Sequence, residues 1–163
     1  MQEYLDLFRR VVDGNSETLE CYQLVPFVGE WFQSVVIKLQ KPGWSSTALH
    51  ENPIHAGIFF SIWVSPADIE KGLVRYNIHA LQMRALPGHA IKSREFAEAF
   101  RAAFEAHRAE WENVRVDFGP QTLMEGVIPL VVATLEEDVD RLIKLFIPLS
   151  GVIDGLLAQR RKR

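Results

Sequence analysis

The residues best suited to chemistry stand together in the stretch LHENPIH, which contains His50, Glu51 and His55. In the zinc motif H-E-x-x-H, two histidines at i and i+4 share one face of a helix and bind the metal. Here the histidines are at i and i+5, and Pro53 lies between them where it would break a helix. The zinc-protease interpretation is therefore excluded. The three residues remain weak candidates for metal ligands on a bent loop.

A second candidate set alternates along a predicted strand, where Arg75, Asn77 and His79 would project from the same face. An arginine can clamp an anionic group, and a histidine can act as acid or base near neutral pH. Arg75 and His79 are therefore weak catalytic candidates. Together with Asn77 and with Trp44 in the preceding loop, they are also the candidate ligand-binding residues. The alternative is the solvated polar face of an antiparallel strand.

Other motifs fail on their context. Asp117-Phe118-Gly119 spells the magnesium-binding triplet of protein kinases, but the chain has neither the glycine-rich loop nor the catalytic loop of that class. No serine stands in a G-x-S-x-G elbow, and the glycines form no phosphate-binding loop. The single cysteine, Cys21, excludes an internal disulfide and is predicted to be a small buried apolar residue. We therefore predict no cofactor.

The composition is that of an ordinary globular domain. With 163 residues, of which 48% are hydrophobic and 24% charged, the chain is predicted to form one domain over residues 1–163. No apolar run approaches the ~20 residues needed to span a bilayer. The N-terminal residues mix acidic and basic side chains, unlike a secretory signal. We therefore expect a cytoplasmic protein without membrane contact.

Charge is distributed unevenly along the chain. The net charge is -3, although residues 160–163 are all basic, so the rest of the chain is more acidic than the total indicates. Binding to phosphate backbones needs a basic face, which argues against a nucleic-acid partner. We expect the basic C-terminal tail, 160–163, to be a frayed and solvated helix end.

Periodicity predicts a fold of the α+β class. Helical spacing begins at Gln2, at Ser93 and at Thr134, and SPADIEKG carries the capping signals of one short helical turn. Alternation or strand-forming composition predicts six strands, at 18–25, 33–40, 57–64, 73–83, 114–118 and 127–133. The order α-β-β-β-β-α-β-β-α indicates one mainly antiparallel, twisted sheet of about six strands with three helices. The long loop at 41–56 is the segment most able to hold a site.

The helix that begins at Ser93 shows how side chains should divide between core and solvent. Phe96, Phe100 and Phe104 recur on one stripe, which predicts the core-facing side. Glu98 and Arg101 point away from that stripe. We therefore expect both of them to tolerate alanine.

The strand GIFFSIWV is unusual because both of its faces are apolar. Phe60 and Ile62 point to one face, and Phe59 and Trp63 point to the other. Large apolar groups on an open face would invite association. If the long helices lie on opposite faces, the chain covers both faces itself. If they share one face, a second copy is the expected cover, and we then predict a homodimer with Trp63 at or near the interface.

Two functional hypotheses follow. The first is a non-enzymatic binding or assembly module, homodimeric, whose partner is a protein or a small anionic ligand. The second is a small hydrolase-like or metal-assisted enzyme with its site between loop 41–56 and the polar face of strand 73–83. The absence of a correctly spaced catalytic motif favours the first. Convergence of the polar groups in one concave pocket would distinguish a site from a scattered surface.

Overall fold

A computed structural model describes residues 1–50 and 56–163, so Glu51 and His55 lie outside the described residues. The described chain is α+β, with a five-stranded antiparallel sheet and five α-helices. In chain order the elements are α1 (Gln2–Gly14), α2 (Ser16–Cys21), β1 (Val25–Trp31), β2 (Ser34–Gln40), β3 (Gly57–Val64), α3 (Pro66–Lys71), β4 (Leu73–Leu81), α4 (Ser93–Phe104), β5 (Thr122–Pro129) and α5 (Leu135–Ala158).

The sheet is a meander in which each strand pairs with the next one along the chain. The register places Ser61 of β3 opposite both Lys38 of β2 and Asn77 of β4. One residue further along β3, Ile62 lies opposite Ile37 and Tyr76. Because side chains alternate along a strand, these two rows point to opposite faces of the sheet.

The helices α1, α4 and α5 pack on the face that carries Ile62. The large aromatic side chains buried there have no exposed surface: Phe8, Phe60, Tyr76, Phe96, Phe100, Phe104 and Phe146. Phe60 of β3 stacks on Phe146 of α5, with ring centroids 4.7 Å apart. Trp111, which follows α4, contacts both Phe146 and Tyr76. Both long helices therefore share one face, and the arrangement with helices on opposite faces does not occur.

The short helix α3 confirms its predicted capping. The Ser65 hydroxyl accepts a hydrogen bond from the Asp68 backbone N–H at 3.1 Å, and the Asp68 carboxylate accepts one from the Ser65 backbone at 3.1 Å. Pro66 occupies the first turn, and Gly72 ends the helix with a φ of 69°. A left-handed residue at this position is what favours glycine.

Two predicted strands near the N-terminus and after α4 are wrong. The predicted strand 18–25 overlaps helix α2, Ser16–Cys21, and the observed strand begins only at Val25. Leu19 is the one buried residue of that helix, and a single buried position in a short segment carries no clear periodicity. Cys21 is exposed, so its predicted burial is wrong as well.

The segment between α4 and α5 forms one strand of the sheet instead of two. Residues 114–118 make only an isolated bridge between Arg115 and Glu125, and the strand runs from Thr122 to Pro129. The strand ends at Pro129, because proline has no backbone N–H to donate to the neighbouring strand. The last two residues of the strand predicted at 127–133 belong instead to a 3-10 turn, Val132–Thr134, that leads into α5. The predicted six strands and three helices thus become five strands and five helices in the part of the chain that the structure describes.

The basic tail is held by backbone hydrogen bonds. The Ala90 N–H donates to the Arg160 carbonyl at 2.8 Å, and the Lys162 N–H donates to the Gly88 carbonyl at 3.0 Å. The expectation of a frayed end is therefore wrong for these residues, because they pair with the segment that precedes α4. Among the described residues, no helix has the length and apolarity needed to cross a membrane.

Candidate functional site on the uncovered sheet face

The uncovered face of the sheet is the one on which the long helices do not pack. It contains a cavity of about 270 Å³. Its walls come from strands β1 to β4 and from the β1–β2 turn. The lining residues are Trp31, Phe32, Ser34, Val36, Lys38, Phe59, Ser61, Trp63 and His79. Aromatic rings thus surround a small number of polar groups, which is the usual composition of a small-molecule site.

Lys38 lines this cavity and is only 4% exposed. Its Nζ is 2.7 Å from the centroid of the Trp31 ring and 4.7 Å from that of Phe59. No carboxylate pairs with it within residues 1–50 and 56–163. Burial lowers the pKa of Lys38 to about 7, because the charged form loses its hydration. The faces of the two rings provide the compensating attraction for the ammonium form.

Four polar side chains form a network beside Lys38. The Ser61 hydroxyl donates a short hydrogen bond to Asn77 Oδ1. The Asn77 amide in turn donates to His79 Nε2 at 2.8 Å and to the Glu125 carboxylate at 3.3 Å. Since an amide nitrogen can only donate, Nε2 of His79 is the acceptor and Nδ1 carries the proton. The network therefore fixes the tautomer of His79.

Two buried N–H groups on the cavity wall lack a well-formed hydrogen bond to the described residues: Trp31 Nε1 and His79 Nδ1. The Gln121 carbonyl lies close enough to the His79 ring to affect its pKa, but it does not meet hydrogen-bond geometry at Nδ1. A buried donor without an acceptor costs about 1–3 kcal/mol. Together with Lys38, these groups make the cavity rich in donors. An occupant with acceptor oxygens would satisfy them.

His79 is neutral at pH 7. Burial lowers its pKa below the ordinary histidine value, and the positive charge of Lys38 acts in the same direction. The Gln121 carbonyl and the Glu125 carboxylate oppose this shift without cancelling it. His79 can therefore offer an N–H to a ligand without carrying a charge.

Arg75 lies on the same face as Asn77 and His79 but is already engaged. Its Nε donates to Asp68 Oδ1 at 2.6 Å, which ties the strand to helix α3. Burial tends to raise the pKa of Asp68, but the hydrogen bonds from Arg75 and Ser65 outweigh it and lower the pKa. Arg75 is outside the cavity lining, so the structure assembles only part of the predicted polar trio at the cavity.

His50 anchors its loop to the sheet. Its Nε2 forms a 2.8 Å hydrogen bond with the Val25 carbonyl, and its ring packs on Phe27 with centroids 5.7 Å apart. Burial lowers the pKa of His50 despite the bond to Val25. Within the described ranges no group of three or more histidine, cysteine or acidic residues could hold a metal ion. The metal and enzyme hypotheses also need Glu51 and His55, which lie outside those ranges, and they stay predictions.

Trp44 lies apart from the cavity, on the helix side of the sheet. It is 1% exposed, its Nε1 donates to Asp154 at 2.9 Å, and its ring meets Phe60 edge to face. It also borders a broad groove of about 920 Å³, where Lys41 pairs with Asp154 at 2.6 Å. Lys41 and Asp154 neutralise each other in this groove, and its remaining charged residue, Arg161, is an exposed residue of the tail.

The β1–β2 turn adds an exposed aromatic residue to the cavity rim. Phe32 is 83% exposed and stacks on Trp31, with ring centroids 5.6 Å apart. Phe32 and Gln33 have φ values of 50° and 65°. Tight hairpin turns with two positive φ values favour Asn-Gly, because other residues are strained there. The chain thus holds a large apolar side chain in solvent at a conformational cost of about 1–3 kcal/mol per residue.

Sequence reasoning missed residues that line the cavity. Lys38 was not among the predicted site residues, and Trp31 was outside every predicted strand. The available signal was the apolar Phe59 and Trp63 on the same face as Ser61, which indicated that this face is occupied. Only the pairing of β1, β2 and β3 shows that Lys38 lies between aromatic rings.

The chain matches no protein-family model, and no curated protein and no solved structure shows significant similarity to it. A function therefore has to rest on the geometry of the uncovered face. That geometry offers one compact cavity in which a lysine, three hydrogen-bonding side chains and four aromatic rings converge.

Proposed function

We propose that this chain is a binding protein whose ligand is a small organic acid with a flat, apolar body. The observation that carries the proposal is Lys38, a buried lysine between two aromatic rings with no carboxylate partner among the described residues. A buried cation without a counterion is costly, and the free protein reduces that cost by lowering the pKa of the amine to about 7. A carboxylate from the ligand would supply the missing charge.

The size and walls of the cavity define the rest of the ligand. At about 270 Å³ it is near the lower end of small-molecule sites, which suits one or two fused rings. Phe59 and Trp63 offer apolar surface to such a body. The unpartnered N–H groups of Trp31 and His79 would donate to the ligand's oxygens. In this arrangement the positive charge of Lys38 selects the acid group of the ligand, and the aromatic walls of the cavity select its apolar body.

The proposal is tested by titrating the protein with phenylacetate and with the uncharged phenylacetamide. Binding is followed by calorimetry and by the fluorescence of Trp31 and Trp63. We expect the acid to bind at least about tenfold more tightly, a difference of about 1.4 kcal/mol. Equal affinities for acid and amide would contradict the proposal.

Two variants separate Lys38 from general charge. Lys38→Met should abolish the preference for the acid. Lys92→Met is the matched control. The Lys92 side chain is 79% exposed, and it lies just before α4 and outside the cavity lining. Retention of the preference in Lys38→Met would also overturn the proposal.

A second candidate is assembly of two copies through the same face. Phe32 is held exposed at the rim of the cavity, and both long helices pack on the other face of the sheet. A two-fold axis near the rim would let each copy place its Phe32 against the aromatic wall of the other, as closed symmetry requires. The homodimer with Trp63 at or near its interface therefore stays a prediction, tested below by mass.

A further inference from the structure

We propose that Lys38 is a nucleophilic amine that captures a small aromatic 2-oxo acid in the cavity as an imine. This inference rests on the proposed function and narrows the ligand to acids that carry a carbonyl next to the carboxylate. It adds a covalent, reversible step to binding. Three features of the site support it: the position of the amine, its protonation and the surrounding donors.

The amine is held in place by a rigid element. Lys38 lies in the middle of β2, paired with Phe27 of β1 on one side and Ser61 of β3 on the other. Its Nζ is enclosed by the Trp31 and Phe59 rings on the wall of the cavity. In a 2-oxo acid the carbonyl carbon is bonded directly to the carboxylate. A carboxylate that approaches Lys38 therefore brings that carbon to the nitrogen.

Burial also supplies the reactive form of the amine. With a pKa of about 7, close to half of Lys38 is neutral at pH 7. An exposed lysine is neutral in roughly one molecule in 2,500 at that pH. The titratable groups that the charge of Lys38 reaches are His50 and His79, both with lowered pKa values. Glu125, which acts on His79, and the Arg75–Asp68 pair lie further along the same face. None of the carboxylates among them pairs with Nζ in the described chain, so the lone pair stays available.

The reaction balances without a further reagent. The Nζ lone pair attacks the carbonyl carbon, and the π electrons move to oxygen. Proton transfer from nitrogen to that oxygen gives the carbinolamine. Loss of water, whose two hydrogens come from the amine, leaves the imine. Protonation of the imine nitrogen keeps a positive charge beside the ligand carboxylate.

His79 is suited to hold the oxygen during addition. Its Nδ1–H is buried on the cavity wall without a partner among the described residues, and Asn77 fixes this tautomer. Its ring packs against Phe59, the same ring that borders Lys38, with centroids 5.1 Å apart. A neutral N–H on the wall of the cavity can stabilise a developing oxyanion by hydrogen bonding.

The test is reductive trapping. Wild-type protein is incubated with phenylpyruvate and cyanoborohydride, and the adduct is located by intact mass and peptide mapping. We expect one adduct per chain on Lys38, and we expect excess phenylacetate to suppress it by competition. An adduct spread evenly over exposed lysines such as Lys92 and Lys144 would overturn the inference.

Lys38→Arg is the informative variant, because it keeps a cation but cannot form an imine under these conditions. It should give no adduct at this position. Wild-type protein that binds phenylacetate but yields no Lys38 adduct would overturn the imine and leave the binding function standing. Absence of both phenylacetate binding and adduct in the folded wild type would overturn both.

Discussion

The two faces of the sheet are built from the same strands but carry opposite chemistry. The row Ile37, Ile62 and Tyr76 is at most 1% exposed and packs under the helices. The neighbouring row, Lys38, Ser61 and Asn77, is at most 5% exposed and entirely polar. Burial alone therefore does not distinguish the core from the site. The distinction is that one row fills space, whereas the other holds charge and hydrogen-bonding groups around a cavity.

Adjacent phenylalanines test this difference most directly. Phe60→Ala should cost about 3–5 kcal/mol of unfolding free energy, because Phe60 is fully buried and its loss leaves a cavity beside Phe146. Phe59→Ala, on the cavity side, should cost less than Phe60→Ala and should weaken phenylacetate binding instead. Urea unfolding and calorimetry measure the two effects. Equal stability losses with unchanged binding would show that the two faces do not differ in role.

The next largest expected loss of stability concerns Arg101 on α4, where the structure differs from the expectation drawn from the helical periodicity. Arg101 was expected to tolerate alanine, yet its guanidinium donates to the carbonyls of Phe118, Gly119, Leu123 and Thr122 at 2.9–3.2 Å. It thereby fixes the segment before β5. Arg101→Ala should cost about 1.5–3 kcal/mol, the range for hydrogen bonds to a charged group.

The matched control for Arg101 is its exposed neighbour on α4. Glu98→Ala should change stability by no more than about 0.5 kcal/mol, because the Glu98 side chain lies on the solvent side of the helix. Both variants are compared with wild type by urea unfolding. Equal effects of the two substitutions would show that the carbonyl contacts of Arg101 contribute nothing.

The pH dependence of binding tests the cavity alone. Lys38 has a pKa of about 7 in the free protein, and a bound carboxylate raises it. Affinity for phenylacetate should therefore be full below pH 7 and should fall by up to tenfold per pH unit as the pH rises above 7, until the pKa of the complex is reached. His50 and His79 have lowered pKa values, so they stay neutral over this range. Affinity that is constant between pH 6 and pH 9 would contradict a role for Lys38.

The last prediction concerns self-association, which would double the mass of the particle in solution. A homodimer through the uncovered face should scatter light at micromolar concentration with about twice the chain mass. Trp63→Glu should give monomer, because it places a charge on the apolar wall of that face. Ser34→Glu, at the edge of the cavity, is a milder variant if Trp63→Glu does not fold. A wild-type monomer throughout the micromolar range would exclude assembly as the function of the face.

Local signals were sufficient where the chain itself contains the determinants. The alternation in β2 and β4, the strand-forming composition of β3 and the capping residues Ser65 and Gly72 predicted these elements. Strand faces and helix ends depend on neighbouring residues. The α+β class and the antiparallel sheet followed from the order of the elements. Short segments such as 18–25 and 114–118 were assigned wrongly, because too few buried positions recur in them to set a period.

Tertiary structure alone decided which face became the site. The sequence showed that β3 is apolar on both sides, with Phe59 and Phe60 on opposite faces. It did not show that α4 and α5 share one face, because the loops that connect these helices to the sheet determine the face on which each helix packs. Nor did it place Lys38 between Trp31 and Phe59, or Arg101 over its four carbonyls. Each of these contacts joins residues from separate elements, and only strand pairing and helix packing bring such residues together.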